Sequence, residues 1–295
     1  MTIAIQAKNL RRDRRAITPA LSTIIVTSAV IVMVLVAMFF ANNYLQSTLS
    51  QSEYKANRQF MTTEGLQIDD VAWTIGRTQT SVFTSKYGNV NFEPGVITYT
   101  FEVNTGTWQL VGNYTSGIVL FTIPTSLVSL GNGYFERIYP TNGSFLQQGS
   151  TASVSQIFVS QKNSLARGSG LRIVAVPTIR MLNSTIVIGA QQQNYFKFYL
   201  PVLSRGINLY ASQSITQTST GVLKLAIPNV TQIRVNASIT PAAQALGYDL
   251  GNLNSTTSFF RFQSQSMTYP PTGSLTPSTM ELYIANVTVS LGLST

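Results

Sequence analysis

One uninterrupted apolar run, Ile24–Ala41, most constrains what this chain can fold into. Its only polar members are Thr27 and Ser28. As an α-helix rising about 1.5 Å per residue, such a run just covers a bilayer core of about 30 Å. A helix that is apolar on every side needs lipid, or a bundle of similar helices, around it. The sequence therefore predicts a helix that spans a membrane or fills the centre of an assembly.

The residues before this run form a short basic segment. Five basic side chains against one acidic side chain give a net charge of +4 before Ala16: Lys8, Arg11, Arg12, Arg14 and Arg15 against Asp13. Basic residues on one flank keep that flank in the cytoplasm, so everything after about Asn42 is expected outside the cell. An ordinary secretory signal is cut after its apolar region. Here the order of basic cluster, Thr18-Pro19 and apolar run indicates that the apolar segment is kept.

The helix is expected to continue beyond the apolar run. Small and apolar residues recur every three or four positions among polar ones, which predicts a one-sided stripe: Leu45, Leu49, Ser52, Ala56 and Phe60. Pro19 suits a first helical turn. Gly65 is a typical stop signal, so the helix is expected to end at Glu64.

Composition narrows the chemistry that the chain could perform. Its 295 residues contain no Cys and no His, which excludes disulfides, Cys nucleophiles, His general bases and His- or Cys-based metal sites. Of the net charge of +9, the +5 that follows the leader is spread thinly, without the clustered basic patch of a nucleic-acid binder. Only 10% of residues are charged. We expect no enzymatic activity, no cofactor, no bound metal and no nucleic-acid partner, although a hydrolase using two carboxylates stays open.

From Val71 onward the pattern changes to alternation with frequent turns, which predicts strands. Hairpins are expected over Ser81–Phe92, and over Gly95–Thr115 with a turn at Asn104–Gly106. Further strands are expected at Ile118–Ile123, Ile157–Gln161, Leu171–Val176, Thr185–Ile188, Tyr195–Leu200, Val222–Ile227, Gln232–Ile239, Phe259–Gln263 and Leu282–Leu293. A short helix is expected in "TPAAQALGYDLG". The fold class is α+β, with a long N-terminal hydrophobic helix and a mainly antiparallel β-sandwich head. The expected domains are a leader (1–16), a helix (17–64) and a head (65–295), with two possible subdomains meeting near 147–155.

The stretch "RRAITPALSTIIV" resembles the processing site of archaeal type IV prepilins. In that family a basic leader ends in a small residue, and a prepilin peptidase cuts just before the retained hydrophobic helix. The resemblance implies a class III signal peptide whose processing residues are Arg14, Arg15, Ala16, Ile17, Thr18 and Pro19, with the cut between Ala16 and Ile17. Leu21 stands at the fifth mature position, where bacterial pilins carry Glu, so the bacterial charge-pairing model of assembly does not carry over.

The resemblance implies a structural subunit of a pilus-like surface filament that serves adhesion or surface contact. Its N-terminal helices would form the filament core, and its β heads the outer surface. The partners would be other copies of the chain, the prepilin peptidase, and the membrane before assembly. The precursor would lie in the cytoplasmic membrane with its N-terminus inside. Two alternatives stay open: a membrane-tethered extracellular binding protein that does not polymerise, and a minor or tip pilin.

Three further groups of residues could carry function. Seven N-x-S/T sites could be N-glycosylated: Asn113, Asn142, Asn183, Asn229, Asn236, Asn254 and Asn286. Glu64, Asp69 and Asp70 could bind Ca²⁺, but the spacing of a calcium loop is absent and solvated carboxylates at a helix end are expected instead. Trp73 and Trp108 could stack on sugars, although core or cross-strand packing is the more common role of such rings.

Overall fold

The computed structural model describes residues 3–166, 168–188, 191–208, 213–270 and 278–292, with side chains from residue 21 onward except at 188, 191, 192 and 208. Its first element is the helix α1, Ile3–Ala72. The chain divides into two compact units, residues 1–50 and 51–295. The expected leader and the expected subdomain boundary near 147–155 stay predictions.

The second unit is rich in strands, as the alternation predicts. The strands are β1 Thr78–Val82, β2 Asn89–Asn104, β3 Trp108–Pro124, β4 Phe135–Tyr139, β5 Leu146–Gln148, β6 Ser155–Gln161, β7 Gly170–Pro177, β8 Ile179–Ile188, β9 Gln191–Asn208, β10 Ser214–Val230, β11 Gln232–Ile239, β12 Leu250–Asn252, β13 Phe260–Phe262, β14 Ser266–Tyr269 and β15 Ser278–Leu291. A short helix, α2 Pro241–Ala245, lies between β11 and β12. Thr240 caps it by accepting a hydrogen bond from the backbone N–H of Ala243.

The strands form two large sheets. One has seven strands in the order β14-β11-β2-β3-β7-β6-β4, and the other has six in the order β1-β10-β15-β9-β8-β5. Most neighbours are antiparallel; the parallel pairs are β9 with β15, β5 with β8, and β12 with β13. The predicted α+β class with a mainly antiparallel sandwich is confirmed.

The two predicted hairpins have different outcomes. β2 and β3 form the hairpin with its turn at Asn104–Gly106: Asn104 lies opposite Trp108, and Gly106 has a φ of +117°. The hairpin over Ser81–Phe92 is wrong, because β1 pairs with β10 while β2 pairs with β3 and β11. Gly88 therefore precedes β2 and Asn89 starts it, and the pair does not join two paired strands.

The end of α1 also differs from the prediction. The helix passes Gly65 and ends at Ala72. A Cβ at Gly65 would lie 2.5 Å from Cδ1 of Ile157, and Ser155 Oγ donates a 2.6 Å hydrogen bond to the Gly65 carbonyl oxygen. Because Gly65 has no side chain, α1 can approach β6 closely. Gly65 therefore has a packing role, and its interpretation as a helix stop signal is wrong.

Two apolar clusters form the core of the second unit. The first lies between the sheets and contains Phe101 and Phe198, whose ring centroids are 5.8 Å apart. The second joins the end of α1 to strands of both sheets. Strand β7 contributes to both, because Val174 faces the first cluster and Ile173 the second. The seven-stranded sheet is therefore buried on both faces where α1 covers it.

Candidate functional site

The apolar half of α1 exposes its side chains on every side. Within the described residues, Leu21–Ala72 contains an 18-residue window of mean hydropathy 2.9, none of which is buried. The hydroxyl of Thr27 donates to the carbonyl oxygens of Thr23 (2.8 Å) and Ile24 (3.0 Å) within the helix, so it needs no water partner. By length and composition this helix could cross a membrane.

The expected processing site lies in the backbone of α1, but its side chains are outside the described residues. This applies to Arg14, Arg15, Ala16, Ile17, Thr18 and Pro19. Cleavage between Ala16 and Ile17 therefore stays a prediction.

The predicted stripe of small and apolar residues is not the face of α1 that packs on the head. Leu49 is 48% exposed, Ser52 and Ala56 are exposed, and only Phe60 is half-buried, against Phe83. The buried face follows a four-three spacing and includes polar side chains: Asn57, Met61, Glu64, Ile68 and Val71. Sequence reasoning missed this face because two of its members are polar.

Polar anchors fix the second half of α1 in the head. The carboxylate of Glu53 accepts hydrogen bonds from the backbone N–H groups of Lys86 and Tyr87, both at 3.1 Å. One turn later, Arg58 forms an ion pair with Glu136 at the start of β4. Charge-assisted hydrogen bonds of this kind are stronger and more directional than neutral ones. They hold the helix in one register on the sheets.

The acidic residues at the end of α1 already form ion pairs and hydrogen bonds with other side chains of the same chain. Asp69 accepts from Trp73 Nε1 at 2.7 Å and pairs with Arg180 at 2.9 Å. Asp70 pairs with Arg77, and it also accepts from the side chain of Gln79. Within the part of the chain that the structure describes, no group of three or more Asp, Glu, His or Cys side chains could hold a metal ion. The expectation of solvated carboxylates holds only in part, since Asp69 and Asp70 are partly exposed but paired.

Glu64 contradicts the expectation of a solvated carboxylate. It is 1% exposed, and its Oε2 accepts a 2.9 Å hydrogen bond from Gln217 Nε2 of β10. Its Oε1 is buried without a hydrogen-bond partner. Burial raises the pKa of this carboxyl above its ordinary value, because desolvation disfavours the charged form.

Both tryptophans pack against cations. Arg180 lies over Trp73, with 5.9 Å between the guanidinium and the ring centroid, and Trp73 packs edge-to-face on Tyr199. Arg234 lies 4.0 Å from the ring centroid of Trp108. The proposed sugar platform at these rings is therefore disfavoured, since each ring already has a guanidinium on it.

Six of the seven N-x-S/T asparagines are exposed: Asn113, Asn142, Asn183, Asn229, Asn254 and Asn286. Asn236, in β11, is half-buried. Asn286 lies in the middle of β15, yet its side chain faces outward. Six sites are thus accessible to a glycosyl transferase, and modification stays a prediction.

Among the cavities that open on the described part of the head, two have the volume of a small-ligand site. One, of about 500 Å³, lies beside α2 and has Asp249 in its lining. The other, of about 390 Å³, is lined by Asn89, Asn91, Glu93, Leu120, Thr122, Arg172 and Tyr248. Neither contains the two carboxylates that glycoside hydrolysis requires, since Asp249 and Glu93 are the single acidic residues of their cavities.

Sequence reasoning missed the second cavity, called here the Asn-Glu-Arg cavity. The only signal was the alternation in "NVNFE", where polar Asn89, Asn91 and Glu93 alternate with apolar Val90 and Phe92. That pattern predicts a strand with one polar face, which is usually solvated. Nothing local shows that Tyr248, far along the chain, closes over this face.

The chain was compared with family models, with curated proteins and with solved structures, and no significant match was found in any of the three.

Proposed function

We propose that the chain is a structural subunit of a surface filament of the archaeal type IV pilus kind. The observation that carries this proposal is the apolar half of α1, whose side chains from Leu21 to Leu49 are exposed. Such a surface is stable in lipid and equally stable among copies of itself. The precursor would be held in the membrane by this helix, trimmed by a prepilin peptidase, and then drawn into a helical bundle.

The outward stripe of α1 supports this assembly. Ser52 and Ala56 are small and exposed, and Leu45 and Leu49, which precede them in the sequence of α1, are also exposed. Small residues let helix backbones approach each other closely, while the larger apolar ones fill the space between them. In a filament, this stripe would contact neighbouring helices while the head stays outside. The chain itself would do no covalent chemistry.

The alternative is a membrane-tethered binding protein with the same leader and the same helix but no polymer. The Asn-Glu-Arg cavity is the observation that favours it, since a binding protein needs a concave polar site. A minor or tip pilin would combine both features.

Mass spectrometry of the N-terminus tests the proposal on fibres sheared from the surface of cells that make the protein. A mature terminus at Ile17, abundant in the fibres, is the expected result. The same terminus confined to the membrane fraction would favour the tethered alternative. An intact Met1 in every fraction would overturn the proposal, because the arginines would then be only a topology signal.

A further inference from the structure

The Asn-Glu-Arg cavity places charged side chains where a β-sandwich normally has apolar ones. Its floor is formed by Glu93, which is 3% exposed, and Arg172, which is 2% exposed. Its rim includes Asn89, whose side chain is exposed, and Asn91 and Thr122, whose side chains are half-buried. Burying charges costs free energy unless other groups compensate for it. A cavity that combines such a floor with an accessible rim is a candidate binding site.

Sheet register brings these residues together. On the seven-stranded sheet, Asn89 lies opposite Thr122, Asn91 opposite Leu120, and Thr122 opposite Arg172. Val90 and Phe92 point into the cluster beneath α1, so the asparagines and Glu93 lie on the other face. The polar patch therefore continues the face that forms the inter-sheet core elsewhere.

Neighbouring contacts keep this patch rigid. The Arg172 guanidinium donates to the carbonyl oxygens of Gly168 (2.6 Å), Gly170 (3.2 Å) and Lys162 (3.4 Å). Tyr248 also lines the cavity, and its ring packs edge-to-face on Phe259 at 4.9 Å. A preformed site of this kind loses little conformational entropy on binding.

The lining selects the class of ligand by charge and by hydrogen-bonding capacity. The lining contains one carboxylate and one guanidinium, so an anion would be repelled by Glu93 and a cation by Arg172. An apolar ligand would leave the asparagine amides and the Thr122 hydroxyl unpaired, which is costly. A neutral ligand with several hydroxyls satisfies both kinds of group, because each hydroxyl can donate and accept. Tyr248 is the aromatic residue of the lining, and an aromatic side chain suits the C–H face of a sugar ring.

We infer that the Asn-Glu-Arg cavity binds one uncharged sugar ring, with Asn91, Thr122 and Glu93 hydrogen-bonded to its hydroxyls and Tyr248 against its face. The volume of about 390 Å³ lies within the range of small-ligand pockets. For its biological meaning the inference rests on the proposed role in surface contact. The recognised partner would then be a glycan on another surface.

Saturation-transfer NMR on the full chain, solubilised in a detergent without a sugar headgroup, tests the inference. The probes are methyl glucoside, methyl mannoside, methyl galactoside and N-acetylglucosamine, with glycine and acetate as charged comparators. Saturable binding of at least one sugar, and of neither comparator, is expected. If no sugar binds folded wild-type protein, or if glycine or acetate binds in place of the sugars, the inference is overturned.

Four variants locate the binding. Asn89→Trp places a bulky ring at the exposed rim and should abolish binding without disturbing the core. Asn91→Ala removes one hydrogen bond and Glu93→Gln replaces a charged acceptor by a weaker neutral one, so each should weaken binding roughly ten-fold. Asn183→Ala, at an exposed asparagine on the other sheet, is the matched control and should bind like wild type. Binding that survives Asn89→Trp would place the sugar elsewhere and overturn the inference.

This result is independent of filament formation. Sugar binding by the solubilised subunit without surface fibres would support the inference while the filament proposal fails. Fibres with a terminus at Ile17 and a subunit that binds none of the four sugars would leave the filament proposal standing and remove the inference.

Discussion

The two halves of α1 differ in what their side chains contact. Residues 21–49 are exposed, the run Ile24–Ala41 within them is apolar except at Thr27 and Ser28, and the hydroxyl of Thr27 is satisfied inside the helix. Residues 53–72 place Met61 and Ile68 in the core and attach Glu53 and Arg58 to specific partners in the head. Within this described stretch the hydroxyls of Thr27 and Thr48 donate to carbonyl oxygens of the same helix, so its exposed apolar surface can exchange lipid for protein neighbours. The second half would lose hydrogen bonds and core packing in any other environment.

A charge in the first half should have the largest effect. Val34→Asp places a carboxylate at the middle of the apolar run, where insertion is expected to cost about 2.5–3.5 kcal/mol. Because the surrounding turns offer no polar partner, we expect loss of membrane insertion and of surface fibres. Membrane fractionation and shearing of whole cells measure the two losses. Val34→Leu is the matched control, and normal fibres carrying Val34→Asp would contradict the role given to this half.

Truncation of an apolar side chain should lower the free energy of unfolding more in the second half of α1 than in the first. Ile68 is fully buried between α1 and the sheets, so Ile68→Ala should lower the free energy of unfolding by about 2–5 kcal/mol. Leu49→Ala, on the exposed stripe of the same helix, should change it by less than about 0.5 kcal/mol. Denaturant unfolding of the detergent-solubilised chain measures both. Equal losses in the two variants would mean that the stripe is also part of the folded core.

Gly65 tests how closely the second half approaches the sheet. In Gly65→Ala the helix gains about 1 kcal/mol of intrinsic propensity. The new Cβ, however, would lie 2.5 Å from Cδ1 and 2.8 Å from Cγ1 of Ile157, and overpacking of this kind costs about 1–3 kcal/mol. We expect a net loss of about 1 kcal/mol, measured by denaturant unfolding.

Two further variants control the Gly65 experiment. Gly221→Ala has no atom within 4 Å of the new Cβ, so its stability should stay near that of wild type. Ile157→Val removes the nearest atom, so the double variant should lose less than the sum of the two single losses. An additive result would show that the contact with Ile157 does not limit the approach of the helix.

The sequence predicted the features that depend on nearby residues. The apolar run predicted the long helix, the alternation over Gln232–Ile239 predicted β11, and Thr240-Pro241 predicted the start of α2. It failed where distant residues decide the structure. The partner of β1 is β10, more than a hundred residues away, and Gly65 is selected by Ile157 of β6. Periodicity describes one segment, and such pairings are a property of the whole fold.

In the candidate site, too, features set by nearby residues could be predicted and features set by distant residues could not. The exposed apolar surface of α1 could be predicted, because no local feature of residues 24–41 offers a polar partner. The Asn-Glu-Arg cavity could not, because it needs the register of β2, β3 and β7 together with Tyr248. The burial of Glu64 was missed for a related reason. A carboxylate near the end of a helix is usually solvated, and Gln217 is its distant partner in β10.

The last variant concerns that buried carboxyl. Burial raises the folded-state pKa of Glu64 above its ordinary value of 4.5. The folded state therefore favours the neutral form, and the contribution of Glu64 to stability is fully present below its unfolded pKa and is lost as the pH rises through the folded pKa. Each unit by which the pKa is raised corresponds to about 1.4 kcal/mol of lost stability.

Glu64→Gln keeps the size of the side chain and removes the titration. The difference in unfolding free energy between this variant and wild type isolates Glu64 from every other ionisable group. We expect the two proteins to be similar near pH 4, and the variant to become relatively more stable as the pH rises from 4.5 through the folded-state pKa. Denaturant unfolding across this range measures the difference. If wild type gains stability relative to Glu64→Gln as the pH rises, the ionised carboxylate is the form that the fold selects, and the second half of α1 is then held at Glu64 by a charge.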